Sequence, residues 1–355
     1  MNSQNDTDNT DENVGGGLRR RGMAQYLLIG YVVLATALGV LLGWLVIKNA
    51  HWAELQDVLL STNMTLVAAA WALITIAAYL RGVRWKLLLN NESTGATRLF
   101  LIEQTGAALD TLSPVRVLDE VVQVGILALR DKLRLGTILA TIALQRAFEF
   151  TTTVLVLGAG ALLLPQLREF LPWIGVGLFF GLVALVALFA AGPLLGRLKI
   201  LSNIQIVAQF ASAIMLLRRG KRRALAAFLL SLAQAGLLGA AGWLVILATD
   251  LQVSLPAMIV ITMAITFFSS TVPGLPMSIG TFEFAAVSIL SLWGVGREDA
   301  IGFSIMLHAV LFLSPILFAI VFLPREGLLS IREFRALNRR TRARMSAASG
   351  STEAL

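Results

Sequence analysis

From residue 24 to residue 46 the chain carries no Asp, Glu, Lys or Arg, and almost every side chain in that run is apolar. A helix needs about 20 such residues to cross a hydrocarbon core about 30 Å thick, so one uncharged run of this length fixes the solvent of the segment. Apolar runs recur at about 66–80, 137–164, 173–195, 224–247 and 300–323, charged within only at Arg146 and Glu149 of the second of these. Six full membrane spans are therefore expected, in an all-α, polytopic fold. Composition agrees: 57% of residues are hydrophobic and only 14% charged, too few to cover a soluble domain of this size. There is no cysteine, which excludes disulfides and thiolate metal sites.

The charges that remain are placed unevenly. Arg19, Arg20 and Arg21 precede the first span, and basic residues cluster again at 81–86, 130–134, 199–223 and along the tail through Arg344. Basic loops stay inside, so both termini and the 199–223 loop are expected in the cytoplasm, with the chain in the plasma membrane. The net charge of +8 then reflects anchoring on anionic lipid head groups, not nucleic-acid binding. Three regions follow: a polar, disordered 1–22 with its basic anchor, a membrane domain 23–324, and a basic cytoplasmic tail 325–355. The 200–217 stretch reads as an amphipathic helix along the interface.

Two segments break the pattern. Between 99 and 129 the apolar run is interrupted by Asp110, Ser113, Pro114, Arg116, Asp119 and Glu120. Between 256 and 293 it is interrupted by Ser269, Ser270, Pro273, Pro276, Ser278, Gly280 and Glu283. Lipid cannot satisfy a broken, polar backbone, so each segment is expected to be a re-entrant helical hairpin sheltered by the full spans. Charge placement opens the first hairpin to the cytoplasm and the second to the outside. Broken helices in oppositely oriented halves point to transporters with a site between the halves.

Charges inside membranes are costly and mark candidate sites. Arg116 and Glu120 are four apart and Arg146 and Glu149 three apart, so on helices each pair shares a face and can form an ion pair. Arg146 lies about ten residues into its span, roughly 15 Å deep, where its side chain does not easily reach bulk water. Glu283 follows the second break. The competing reading is that these pairs only hold broken helices in place. Arg81, Arg84 and Trp85 stand where a span meets the cytoplasmic interface and read as anchors. His308, alone in the last span, reads as a hydrogen-bonded packing residue, with a proton relay as its alternative. The chain has two histidines, no H-E-x-x-H and no acidic metal cluster, so no catalytic constellation, metal site or cofactor is expected.

Four strings occur in a telling order: Arg81-Gly-Val-Arg84-Trp85, Leu112-Ser-Pro114-Val-Arg116 through Glu120, Gln145-Arg146 with Glu149, and Pro276-Met-Ser278-Ile-Gly280-Thr-Phe-Glu283. In this the chain resembles the transmembrane region of lysylphosphatidylglycerol synthases and their stand-alone, flippase-like relatives, over about 25–325. The resemblance implies translocation or handling of lipids, with Arg84, Trp85, Pro114, Arg116, Glu120, Arg146, Ser278, Gly280 and Glu283 at matching positions. It departs from the family at Gln123, where an arginine is usual, at Gln145, where a glutamate is usual, and at Ile279, where a glycine is. The sequence ends soon after the last span, so an aminoacyl-transferase domain is not expected. The leading expectation is a translocase for a phospholipid or polyprenyl-linked amphiphile. Its arginines would meet phosphate, and Glu120, Glu149 and Glu283 would meet a cationic group or carry protons. The alternative is a noncatalytic partner of a separate lipid-modifying or glycosyl-transferring enzyme.

Overall fold

Long apolar runs wind into long helices, and the last of them does so across an interior proline, Pro315. The computed structural model describes residues 29–48, 50–89, 93–113, 118–197 and 205–325. Within them the chain is all-α, with helices α1 (Ile29–Ile47), α2 (Trp52–Ser61), α3 (Met64–Leu89), α4 (Ala96–Thr111), α5 (Leu118–Leu129) and α6 (Leu135–Leu163). There follow α7 (Leu171–Arg197), α8 (Gln205–Arg219), α9 (Lys221–Ala248), α10 (Leu255–Thr271), α11 (Thr281–Leu290) and α12 (Arg297–Arg325). The expected anchors Arg19, Arg20 and Arg21, the tail beyond Arg325, and Pro114 and Arg116 of the first break lie outside the described residues.

Helices α1, α3, α6, α9 and α12 are long and apolar enough to cross a membrane, and α7 is a single helix of 27 residues. These are the six expected full spans. The segment Pro276–Trp293 is also apolar enough by composition. Its backbone is not one helix, because Met277, Ser278 and Gly280 all have positive φ. The first broken segment divides into α4 and α5, whose 16 and 12 residues rise roughly 24 and 18 Å, short of a bilayer core. The second divides into α10 and α11, of 17 and 10 residues.

With each long helix crossing once, connectivity puts the open end of the α4–α5 hairpin on one side and that of the α10–α11 pair on the other. Helices α4 and α5 pack on one another, as do α10 and α11. The basic residues Lys86, Arg130, Lys132, Arg134, Lys221, Arg222, Arg223 and Arg325 all fall at the end where α3 finishes and α6 and α9 begin.

In lipid, helices gain little from burying apolar surface and associate through close packing of small residues. The most extensive helix–helix contact, α3 on α9, follows this rule with buried Ala70, Ala77, Ala235 and Ala241. Around it a core cluster draws Met258, Ile261 and Ile265 of α10, Phe282 and Leu290 of α11 and Phe303 and Leu307 of α12. A second cluster, at the basic end, joins Trp85 and Leu89 of α3 to Leu99, Ile102, Ile126, Leu127 and Phe322. Helix α8, the expected amphipathic segment, packs on α6 and α7 with Ala211 and Ile214 buried. The expected second span is longer than its apolar run suggests, because α3 continues through Arg81, Arg84 and Lys86 to Leu89.

Candidate functional site

Arg84 and Trp85, expected as interface anchors, are instead fully buried. Because α3 runs on past them, their side chains meet other helices and not a lipid–water boundary. Arg84 Nη2 lies 2.5 Å from Glu149 Oε1, and its Nη1 donates to Ser231 Oγ of α9 at 2.8 Å. The Trp85 indole donates to Thr141 Oγ1 at 3.1 Å. Arg81 is half-buried, with Nε 3.1 Å from Glu149 Oε1 and 3.5 Å from Glu103 Oε1.

Arg146 links the two breaks' surroundings to this cluster. It reaches Glu120 Oε1 at 2.6 Å, Asp119 Oδ2 at 2.8 Å and Glu149 Oε2 at 3.4 Å. The expected pair with Glu149 therefore exists, but it is the longest of three, and the shorter two cross from α6 to α5. Asp119 also accepts from Gln123 Nε2 at 2.5 Å. Turned so that its nitrogen faces Glu103 Oε1 at 2.8 Å, the Gln145 amide presents its oxygen to the Trp85 indole at 3.3 Å. The opposite orientation would face that oxygen toward Arg84 Nη2 at 3.3 Å but bring it against the Glu103 carboxylate. We therefore assign the first. With every group ionised, three arginines (81, 84, 146) meet four carboxylates (103, 119, 120, 149), an excess of one negative charge.

The hairpin that carries Asp119 and Glu120 is laced at both ends. At its tip, Asp110 Oδ1 accepts from the Leu118 N–H, one of the free donors at the start of α5, at 3.2 Å. At its base, Arg98 clamps Asp131, with Nε 2.9 and 3.0 Å from the two carboxylate oxygens. Midway, a Cβ on Gly106 would meet Asp119, so a glycine is needed for the two arms to approach there.

The second break is built from backbone. Pro276 opens a single 3-10 turn, and Met277 (φ 62°) and Ser278 (φ 60°) are held in the left-handed region that side chains avoid. Gly280 (φ 85°) then starts α11, and Glu283 reaches back from the first turn so that its Oε2 accepts from the Gly280 N–H at 2.7 Å. Thr281 Oγ1 donates to the Ser278 carbonyl at 2.9 Å. His308 of α12 completes the turn, with Nδ1 2.5 Å from Glu283 Oε1 and Nε2 2.8 Å from the Met277 carbonyl oxygen. Gly280 is required twice, because a Cβ there would also meet the Gly39 carbonyl of α1.

Between the two breaks lies one cavity of about 450 Å³. Asp110, Thr111, Ser113, Glu120 and Arg146 line it from the first break's side, and Thr266, Ser269, Ser270, Met277 and Ser278 from the second's. Leu275, Phe282, Leu311, Phe312 and Pro315 make it apolar elsewhere. Of the expected site residues, Glu120, Arg146 and Ser278 thus meet in one place. Glu149 lies behind Arg146, beside a smaller cavity with Arg84 and Ser231. Gly280 and Glu283 shape the turn without lining the cavity, and Pro273 stands in the loop before it. Residues that sequence reasoning missed are Glu103, Asp110 as a cap, Ser231, and the contact of His308 with Glu283.

At the far end from the basic residues, His51 Nδ1 sits 2.9 Å from Glu298 Oε1, with Glu54 beside them. The hydrogen bond to Glu298, and then the charge of Glu54, raise the His51 pKa above its ordinary value. The trio is largely exposed and ties α2 to α12.

Residues 32–319 match the family model of the lysylphosphatidylglycerol synthase TM region. None of the curated proteins compared with the chain matches it.

Proposed function

The chain belongs to the family of the lysylphosphatidylglycerol synthase transmembrane region, and from that premise we propose that it is a lipid translocase. A head group crosses through the cavity between the two breaks while the acyl or prenyl tails remain in lipid. The observation that carries this reading is that polar residues beside both breaks, Asp110, Thr111 and Ser113 with Glu120 and Arg146 at one and Ser269, Ser270 and Ser278 at the other, line one cavity with an ionic wall. Arg146 is only partly buried, its side chain 45% exposed, and offers its guanidinium to a phosphate. Asp110 and Glu120 offer carboxylates to a cationic group on the same head group. The substrate class is a phospholipid or a polyprenyl-linked amphiphile, and the chain acts without catalysing a covalent step. The basic end of the bundle is the cytoplasmic end in the plasma membrane, by the positive-inside rule.

Purified chain reconstituted in liposomes tests this directly. Nitrobenzoxadiazole-labelled phosphatidylglycerol, phosphatidylethanolamine and a polyprenyl phosphate are each followed by dithionite quenching. At least one of them should become accessible faster than in protein-free vesicles, without any partner protein. If a correctly folded chain moves none of them, the noncatalytic-partner reading takes over. Movement unchanged in a folded Arg146→Met variant would remove the ionic wall from the path.

A further inference from the structure

His308 presents both ring nitrogens to acceptors. A carbonyl oxygen only accepts, so Nε2, 2.8 Å from the Met277 oxygen, carries a proton. Nδ1 stands 2.5 Å from Glu283 Oε1, and two lone pairs do not approach that closely, so a second proton lies between them. The other carboxylate oxygen of Glu283 accepts from the Gly280 N–H and supplies no donor of its own. The dyad therefore holds two protons, as imidazolium with carboxylate or as imidazole with carboxylic acid, and is neutral in either form.

Removing one proton leaves a lone pair facing an acceptor; the proton that stays is held best between Nδ1 and the Glu283 carboxylate, a charge-assisted bond, so the contact with the neutral Met277 carbonyl is the one that opens. The Met277 contact holds a turn in which two successive non-glycine residues have positive φ, a conformation the backbone leaves when it is released. That turn is a wall of the cavity, as are the Phe282 and Phe312 rings, whose centroids lie 4.7 and 4.4 Å from that of His308.

Glu283 is the charged group in contact with the ring. From α4, Asp110 faces the same cavity, as do Glu120 of α5 and Arg146 of α6, whereas Glu103 is turned to Arg81. From α3, Arg81 and Arg84 are engaged with Glu149. From α2, Glu54 lies by His51 and Glu298 at the start of α12, with Asp57 further along the same short helix, and from α9, Lys221, Arg222 and Arg223 lie at the basic end.

We propose that His308 and Glu283 form the proton site of the translocation cycle. With both protons in place, the dyad holds the 276–280 turn closed on the cavity, and loss of one proton to water in the cavity releases it. The role in a cycle rests on the transport reading, while the proton-dependent turn stands on its own geometry.

The chain has two histidines and no cysteine, which makes the test clean. In a His51→Asn background, the ¹⁵N-labelled ring of His308 is the only imidazole signal. A Ser278→Cys substitution in the same background reports access to the turn through its rate of reaction with an impermeant thiosulfonate. Both are measured in nanodiscs from about pH 5 to about pH 9, the range in which histidine sites change charge. The pH at which the ring signal reports loss of one of the two protons sets the midpoint. Labelling should rise several-fold at the same midpoint, relative to the same cysteine with His308→Gln, where the rise should vanish. A ring that keeps one protonation state, or labelling that ignores it, overturns the proposal even if lipid moves normally. If ring and labelling respond together but no vesicle moves any lipid at any pH, the proton-dependent turn stands and the transport reading falls.

Discussion

The two breaks solve the same problem with different chemistry. In the first, charged side chains do the holding: Asp110 caps α5, Arg98 clamps Asp131, and Arg146 spans Asp119 and Glu120. In the second, the backbone does most of it, through positive-φ residues, the Gly280–Glu283 cap and one imidazole. Ionic contacts can be exchanged for the charges of a ligand without moving the chain. Backbone contacts cannot, and they fix a shape instead. The cavity thus has one wall able to trade partners and one wall whose form depends on a single dyad.

The largest effect should come from the backbone wall. In Gly280→Ala the new methyl group meets the Gly39 carbonyl, and the residue must also sustain a left-handed φ that alone costs about 1–2 kcal/mol. Most folded protein should be lost, as read by monodisperse yield after gel filtration. Gly106→Ala meets the Asp119 side chain first, displacing it from Gln123, and the Asp119 backbone only at 3.0 Å, so it should lose less. Equal losses would erase the distinction between the walls.

Next comes Arg84→Met. It empties the fully buried Arg84 site and leaves Glu149, 25% exposed and still beside Arg81, without its 2.5 Å partner, which should lower stability by about 3 kcal/mol in a denaturant or thermal unfolding series. Adding Glu149→Gln should recover much of that. Failure of the second change to help would mean that Arg81 already satisfies Glu149.

Arg146→Met should cost less, about 1–3 kcal/mol, because Arg146 and Glu120 have side chains 45% and 39% exposed and water takes up part of the loss. Since Arg146 serves three carboxylates, adding Glu149→Met should not restore stability, whereas Asp119→Asn with Glu120→Gln should. The restored protein should still fail to move lipid. A loss as large as that of Arg84→Met would place Arg146 in the scaffold and sharpen the comparison in the opposite direction.

The smallest effect lies outside both breaks. The His51 pKa is raised in the folded chain, so its contribution to stability is full below its ordinary value of about 6.5 and fades as pH rises through the raised one. His51→Asn should flatten that slight slope in melting temperature between mildly acid and mildly alkaline pH and change nothing else. A slope that persists in the variant must be assigned to another group.

The spans and both breaks were legible because they depend on local features: apolar runs of bilayer length, and several polar residues gathered around a proline inside such runs, where a single Ser314-Pro315 leaves α12 unbroken. Arg146, Glu120 and Ser278 were legible as candidates because depth makes a polar side chain conspicuous. Their partners were not. Nothing near Arg84 announces Ser231, which lies 147 positions away, and Glu283 and His308 are 25 apart on different helices. The anchor reading of Arg84 and Trp85 failed for this reason: a basic residue at the end of an apolar run looks the same whether it meets water or a distant carboxylate. The departures at Gln123 and Gln145 have a local explanation. Each amide still hydrogen-bonds a carboxylate of the cluster, Asp119 or Glu103, so the network keeps its connections with two fewer charges.

Helix α1 shows most of its length outward, with Ile29, Val33, Leu34, Val40, Leu41 and Trp44 exposed. It meets the bundle along Ala35, Gly39, Leu42, Gly43 and Val46, where Gly39 lies against Leu275 and Gly43 against Gly280. Its last turn is also gripped by Arg297, whose guanidinium donates to the carbonyls of Leu45 and Val46, contacts 252 and 251 positions apart in sequence. During synthesis α1 precedes the rest of the bundle, yet apart from Leu55 of α2 beside Val46 the surface it docks on does not exist until the ribosome has passed the second break and begun α12. Until then only α2 is there to hold it, and its docking on the later segments joins the first and last described helices of the bundle.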